Sequence, residues 1–244
     1  MKQRVDQALV DRGLAESRSR AQALIMAGLV FVGERKVLKA GETLAADAAL
    51  EVRGKDHPWV SRGGLKLVGG LDHFGIDPAG WTCMDVGSST GGFTDVLLSR
   101  GAARVYAVDV GTNQLAWKLR QDERVVVLEQ TNARHLTDEQ IPEPIDLLVC
   151  DASFIALSKV LEKAVDFVAP GGHALLLVKP QFEAGRSEVG KGGVVRDEAV
   201  HARVVAEAEQ WIASRGWRVL GTTRSPITGP EGNVEFLLGA RKGE

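Results

Sequence analysis

Apolar positions recur along this chain in two rhythms. Before residue 53 the periods are short. Val5, Ala8 and Leu9 fall at helical spacing ahead of Gly13, then Ala21, Leu24 and Ile25 repeat the spacing ahead of Gly28. Ser17 stands where a helix N-cap belongs, and Leu29-Val30-Phe31-Val32 reads as a strand. A turn at Gly33-Glu34-Arg35-Lys36 then leads to a return strand starting at Val37. From Cys83 onward, strand-length apolar runs alternate with amphipathic stretches. The pattern predicts strands at 83–86, 104–110, 125–128, 145–151, 174–179, 217–223 and 234–240, with helical stretches near 91–100, 113–120, 157–168 and 197–214. Such alternation implies an α/β fold whose seven-stranded sheet is mostly parallel and covered on both faces, the last two strands being joined by a loop.

A charged, turn-rich stretch near Arg53–Pro58 separates the two rhythms. It places a small α+β domain at 1–54, a linker at 55–61 and the α/β domain at 62–244. Charge supports the division. Residues 1–66 carry 12 Lys and Arg against 8 Asp and Glu, whereas the rest carry 18 against 24. A basic segment on an acidic body points to a polyanionic partner for the small domain. Arg18, Arg20 and Gln22 fall away from the apolar helix face, with Arg4 nearby in sequence. No apolar run reaches the roughly 20 residues of a membrane-spanning helix, and the N-terminus has no secretory apolar core. Cys83 and Cys150 lie at ends of buried strands and read as reduced core thiols, which implies a cytoplasmic protein without a membrane partner.

Candidate chemistry begins at the first α/β strand. Cys83-Met84-Asp85-Val86 runs into Gly87-Ser88-Ser89-Thr90-Gly91-Gly92 and then a helix start at Phe93. A strand, a glycine-rich turn and a helix bring backbone N–H groups close to a small cofactor. Ser89 occupies the middle glycine position of the dinucleotide fingerprint, so the turn is not a nicotinamide site. Asp85 opens it with a carboxylate, which suits the ammonium and sulfonium of S-adenosylmethionine. Gly87, Ser89 and Gly91 are the loop positions expected against that cofactor. Asp109, at the end of the second strand, is placed to accept hydrogen bonds from two ribose hydroxyls, and Asn132, after the third, to border the adenine. For each of these the competing reading is a helix cap or turn residue.

Asp151 closes the fourth strand in Cys150-Asp151-Ala152-Ser153-Phe154, the position that faces the transferred methyl group in class I methyltransferases. Adjacent prolines, usual for amino-methyltransferases, are absent, and Cys150 lacks the preceding proline of a cytosine-carbon nucleophile. Lys179 ends the fifth strand, and Glu235 interrupts Val234-Glu235-Phe236-Leu237-Leu238. A carboxylate in that apolar setting needs a partner, and lysines can provide it. Lys66, on the helix ahead of the first strand, completes a Lys–Asp–Lys–Glu set. The set suits deprotonation of a ribose 2′-hydroxyl without a metal. Lysine, with an ordinary pKa of about 10.4, acts as a base once a second ammonium and desolvation lower it. Lys179 is the expected base or hydroxyl-steering group, with Lys66, Asp151 and Glu235 orienting it.

These motifs carry a resemblance to known families. Ser17–Ala21, Gly28–Val30 and Val37–Gly41 resemble the S4 RNA-binding domain. That likeness implies docking on structured RNA through phosphate contacts of Arg4, Arg18 and Arg20. The Lys66, Asp151, Lys179, Glu235 tetrad resembles that of FtsJ-type RNA 2′-O-methyltransferases. Trp59–Gly63, Asp85–Leu98, Gln114–Trp117, Lys179–Glu183 and Gly232–Glu235 look closely like the TlyA family, historically named haemolysins. The resemblance covers nearly the whole chain. It implies a class I, Rossmann-like methyltransferase fold and S-adenosylmethionine-dependent 2′-O-methylation of cytidine in ribosomal RNA, with ribosomal subunits as partners. The chain resembles the shorter members, which modify the large-subunit 23S RNA, with 16S RNA as the second option. Pro58, ahead of Trp59, departs from the family's alanine-like linker position. An RNA-binding protein with an inactive methyltransferase fold, a membrane-lytic haemolysin and a pseudouridine synthase are the rival readings. The intact tetrad, the lack of an apolar span and the strand–helix alternation argue against them in turn.

Overall fold

A computed structural model describes residues 2–15, 17–45, 48–53, 57–229 and 232–244. Contacts divide the chain into two compact units, Met1–Pro58 and Trp59–Glu244. Trp59 packs with the second unit, against Gly64.

The first unit runs β1 (Lys2–Arg4), α1 (Val5–Asp11), α2 (Arg18–Met26), β2 (Val30–Val32), β3 (Arg35–Lys36), β4 (Thr43–Ala45) and β5 (Leu50–Val52). Strand β1 pairs antiparallel with β4, and β2 lies between β3 and β5. Val5, Leu9, Ala21, Ile25, Val30 and Val37 fill its core. The Ser17 side chain accepts a hydrogen bond from the Arg20 N–H at 3.2 Å, which caps α2. The return strand starts at Arg35, two residues before the expected Val37. Pairing Phe31 with Lys36 and Val32 with Arg35 tightens the hairpin, and Gly33 takes φ +57° within its turn. The strands β1, β4 and β5 are too short to leave an alternating signature, and periodicity missed them.

The second unit opens with α3 (Gly63–Phe74), then β6 (Thr82–Val86), α4 (Gly92–Ser99), β7 (Arg104–Val108), α5 (Trp117–Arg120), β8 (Val125–Leu128) and β9 (Ile145–Cys150). It continues with α6 (Leu157–Val160), β10 (Val168–Val178), α7 (Pro180–Glu183), α8 (Glu198–Ser214), β11 (Trp217–Arg224) and β12 (Phe236–Lys242). The seven strands form one sheet in the order β11-β12-β10-β9-β6-β7-β8, and β12 runs antiparallel to both neighbours. This is the expected α/β arrangement. One apolar layer, with Met84, Leu148, Leu176 and Leu238, packs under α8, and the opposite layer, with Cys83, Leu147, Leu175 and Leu237, packs under α3 and α4.

Two helical stretches are shorter than the periodicity predicted. The 113–120 stretch retains only α5 because the Glu129 carboxylate takes the N–H groups of Asn113, Gln114 and Leu115 at 2.7, 2.9 and 3.2 Å. Those donors no longer need a helical partner. The 157–168 stretch breaks into α6 and a 3₁₀ turn at Ala164–Phe167. Strand β10 then begins at Val168 rather than 174, with a register shift before His173 that absorbs Pro170-Gly171-Gly172.

Strand order changes direction at β6. The chain proceeds from β6 outward to β7 and β8, then crosses back to β9 and β10 on the other side. A crevice forms at such a reversal, beyond the carboxyl ends of the strands.

Candidate active site

Alternation along the strands decides which side chains reach this crevice. Cys83, Leu147, Val149, Leu175, Leu177 and Leu237 all face the α3–α4 layer. Asp85, Asp151, Lys179 and Glu235 continue the same odd-numbered parity at or just past the strand ends. Antiparallel pairing sets Phe236 opposite Val178, which brings Glu235 to the end of the sheet where Lys179 emerges. Helix α3 supplies Lys66 from above.

The four side chains make a run of alternating charge. Lys66 Nζ lies 2.6 Å from Glu235 Oε2 and 3.9 Å from Asp151 Oδ1. Lys179 Nζ lies 2.6 Å from the same Asp151 oxygen and also donates to the Asp151 carbonyl and to Ser153 Oγ, both at 2.9 Å. Glu235, Lys179 and Lys66 are 1%, 5% and 7% exposed. Gln181 Nε2 donates to the second Glu235 oxygen at 3.2 Å. A Cβ at Gly229 would collide with the Glu235 carboxylate, so only glycine lets that loop close over it. Lys66, Asp151, Lys179 and Ser153 line a cleft of 360 Å³ together with Asp85 and the Gly87–Thr90 turn.

The glycine-rich turn is held from both sides. Gly87 takes φ +80°, and a Cβ there would stand 2.7 Å from Ala152 Cα. The backbone of the turn can pack this closely on the Ala152 backbone only because the side chain is absent. Ser89 also takes positive φ, +47°, in the position where the dinucleotide fingerprint has glycine. Its N–H donates to Asp109 Oδ2 at 2.8 Å, while Asp109 Oδ1 accepts from the Gly111 N–H at 2.7 Å. Asn132 Oδ1 caps a 3₁₀ turn by accepting from the Arg134 N–H at 3.1 Å. Asp109 and Asn132 therefore act as turn and cap residues, and both also line a second cavity of 490 Å³. That cavity shares Gly87, Ser89, Asp151 and Ser153 with the first.

Asp85 is fully buried. One oxygen, Oδ2, accepts from the Thr94 N–H at 3.0 Å and the Thr94 hydroxyl at 2.7 Å, while Oδ1 has no partner. Burial pushes its pKa up to about 7, against the Thr94 hydrogen bonds and with help from the charges of Asp151 and Asp109. An orphaned carboxylate oxygen on the cleft wall fits a cationic ligand. Burial pushes the Cys150 thiol up to about 12, which removes it as a nucleophile near neutral pH.

In the first unit, Arg4 and Arg18 do not stand free. Both pair with the Asp6 carboxylate, at 2.9 and 3.0 Å, and Gln22 donates to it at 3.1 Å. Arg18 stays exposed and Gln22 half-buried, as their place off the apolar helix face implies, but both reach the Asp6 carboxylate, which helical spacing alone did not show. Asp6 is completely buried, and its charge partners, Arg4 first, hold its pKa far below the carboxylate range. Arg20 is exposed and makes no ion pair with a described residue.

Sequence reading passed over Asp6, Gln181, Ser153 and Phe154. Phe154 is 89% exposed with φ +68°, and its ring lies 5.0 Å from that of Phe182. The available signal was position: Ser153 and Phe154 directly follow the strand-ending Asp151.

Comparison with known proteins agrees with this geometry. Residues 59–242 match the FtsJ-like methyltransferase family, and residues 3–49 match the S4 domain. The 16S/23S rRNA (cytidine-2′-O)-methyltransferase TlyA of Mycobacterium tuberculosis is 50% identical over 98% of this chain and 89% of its own. Hemolysin A of Brachyspira hyodysenteriae is 40% identical over 96% of this chain and 98% of its own. A solved haemolysin-named structure from Streptococcus thermophilus superposes with TM-score 0.79 at 41% identity, covering 100% of this chain and 89% of that one.

Proposed function

This chain belongs to the FtsJ-like methyltransferase family, and from that premise we propose that it 2′-O-methylates cytidine in ribosomal RNA with S-adenosylmethionine as donor. The observation that carries this reading is the buried run Glu235–Lys66–Asp151–Lys179 on the wall of the cleft. No cysteine nucleophile or proline-flanked amine pocket accompanies it, which favours a hydroxyl acceptor.

S-adenosylmethionine, when bound, supplies an electrophilic sulfonium methyl group. Asp85 Oδ1 would take its cationic portion, and the turn through Gly87, Ser89 and Gly91 would border it, shaped by N–H bonds from these three residues to Val108, Asp109 and Ser88. Asp109 accepts from the ribose hydroxyls, and Asn132 borders the adenine. Lys179 steers and deprotonates the 2′-hydroxyl of the RNA. Asp151 fixes Lys179, and Glu235 fixes Lys66, so the two amines keep their positions while substrate enters. The S4 unit supplies RNA affinity through Arg4, Arg18 and Arg20. The large-subunit 23S RNA in the cytoplasm is the proposed substrate, as part of the ribosomal subunit or its precursor.

Mapping ribose 2′-O-methyl groups in ribosomal RNA from cells with and without the protein tests this reading. A cytidine methylation lost on deletion, restored by the wild-type gene and not by Lys179→Ala, is the expected result. An unchanged methylation map, or lysis of lipid vesicles by the pure protein, overturns it.

A further inference from the structure

Lys179 Nζ is enclosed by three oxygens, two of Asp151 and one of Ser153. An ammonium carries three donors; the Asp151 carbonyl and Ser153 Oγ accept from it at 2.9 Å, and the Asp151 carboxylate stands 2.6 Å away as an ion pair whose Oδ1 accepts no hydrogen bond. Lys179 is 5% exposed, whereas Ser153 is exposed and lines both lobes of the cleft. An incoming hydroxyl therefore meets Ser153 before it meets Lys179.

The three partners are not equivalent when the lysine is a free amine. A lone pair aimed at the Asp151 carboxylate or carbonyl would face another lone pair, since neither oxygen has a hydrogen to give. Only Ser153 can reverse its role, because a hydroxyl both donates and accepts. The amine keeps its N–H bond to the Asp151 carbonyl, and its lone pair accepts the Ser153 hydrogen. Ser153 Oγ then has an acceptor site open to the cleft.

Building on the proposed 2′-O-methyltransferase reading, we infer that Ser153 is a catalytic residue that relays the proton from the ribose 2′-hydroxyl to Lys179. The 2′-oxygen loses its proton to Ser153 Oγ as it takes up the methyl group, and the Ser153 hydrogen passes to Lys179 Nζ. The serine ends as the neutral hydroxyl it began as. Donor and acceptor finish neutral, and the positive charge of the sulfonium is carried off as the Lys179 ammonium. No metal or other co-reactant enters the balance.

The relay is tested with full-length wild type, Ser153→Ala, Ser153→Thr and Lys179→Ala. Single-turnover methyl transfer is measured on ribosomal subunits from a deletion strain, and S-adenosylmethionine binding is measured separately by calorimetry. Ser153→Ala is expected to slow transfer about 100-fold, the lower end of general acid–base contributions, with cofactor affinity unchanged. Ser153→Thr, which keeps the hydroxyl, is expected to restore transfer to within about tenfold of wild type. Wild-type transfer by Ser153→Ala alongside an inactive Lys179→Ala overturns the relay and leaves the methyltransferase reading standing. The relay also fails if Ser153→Thr is as slow as Ser153→Ala, or if the alanine variant loses only cofactor binding. Wild-type protein that methylates no ribose on these subunits overturns the underlying reading instead.

Discussion

Lys66 Nζ and Glu235 Oε2 lie 2.6 Å apart, although 169 positions separate the two residues in the chain. The Glu235 side chain is fully buried and that of Lys66 is 9% exposed, so each is the main compensation for the other's loss of water. Breaking such a pair by removing one partner costs about 3–5 kcal/mol. Glu235→Ala is expected to destabilise the Trp59–Glu244 unit by that amount in urea unfolding. Replacing both residues by apolar ones, Lys66→Met with Glu235→Leu, should restore most of the loss and leave the protein inactive. Equal stability of wild type and Glu235→Ala would contradict the buried pairing.

Lys179→Ala removes the amine that donates to Asp151 and Ser153. Methyl transfer is expected to fall by about 10²–10⁴, the usual range for a positioned acid or base. S-adenosylmethionine affinity should stay within a few-fold of wild type, because the proposed cofactor contacts lie on Asp85, Asp109 and the glycine-rich turn. Calorimetry alongside a quenched-flow transfer assay separates the two effects. A loss of cofactor binding equal to the loss of rate would reassign Lys179 to the cofactor.

If Asp85 holds the cationic part of the cofactor as proposed, cofactor binding should depend on pH. Its folded-state pKa is raised to about 7 by burial, well above the ordinary carboxylate value. Between about pH 4 and 7 the native protein holds a proton that the unfolded chain has released, so the Asp85 contribution to stability declines as pH rises through that window. A cationic ligand at the open Oδ1 favours the ionised form, so affinity follows the ionised fraction and increases about tenfold from pH 6 to pH 8. Binding near pH 7 should release a proton, seen as a dependence of calorimetric heat on buffer ionisation. Asp85→Asn should bind weakly with a flat profile, and a pH-dependence that survives this change would place the titrating group elsewhere.

Asp6 sets the direction in which Arg4 and Arg18 present their guanidinium groups. If it only neutralised them, Asp6→Asn would raise RNA affinity and steepen its salt dependence. Orientation predicts the opposite: affinity falls several-fold, and the slope of log affinity against log salt becomes shallower by about one for each lost phosphate contact. Fluorescence anisotropy on a ribosomal RNA fragment across a salt series distinguishes the two signs.

Much of this protein was legible in its sequence because the governing signals are local. Strand-length apolar runs alternating with stretches of helical period marked the α/β unit. The strand-ending positions of Asp85, Asp109, Asp151 and Lys179 followed from it. Ser17 and Gly28 bounded α2 through backbone geometry that a single residue decides. Glu235 drew notice as the one charge within an apolar run.

Pairing was another matter. Which lysine meets which carboxylate depends on strand order and register, and these arise from contacts between segments far apart in the chain. The same holds for Glu129, which takes three N–H groups from the 113–116 segment and shortens a helix that periodicity favours. It holds for Asp6 as well, whose burial draws Arg4, Arg18 and Gln22 onto one carboxylate. The sequence by itself determined the elements and the identities of the charged groups at their ends. Only the tertiary structure decided their partners, because a buried charge must find its counter-charge in space and the chain order does not say where that space is.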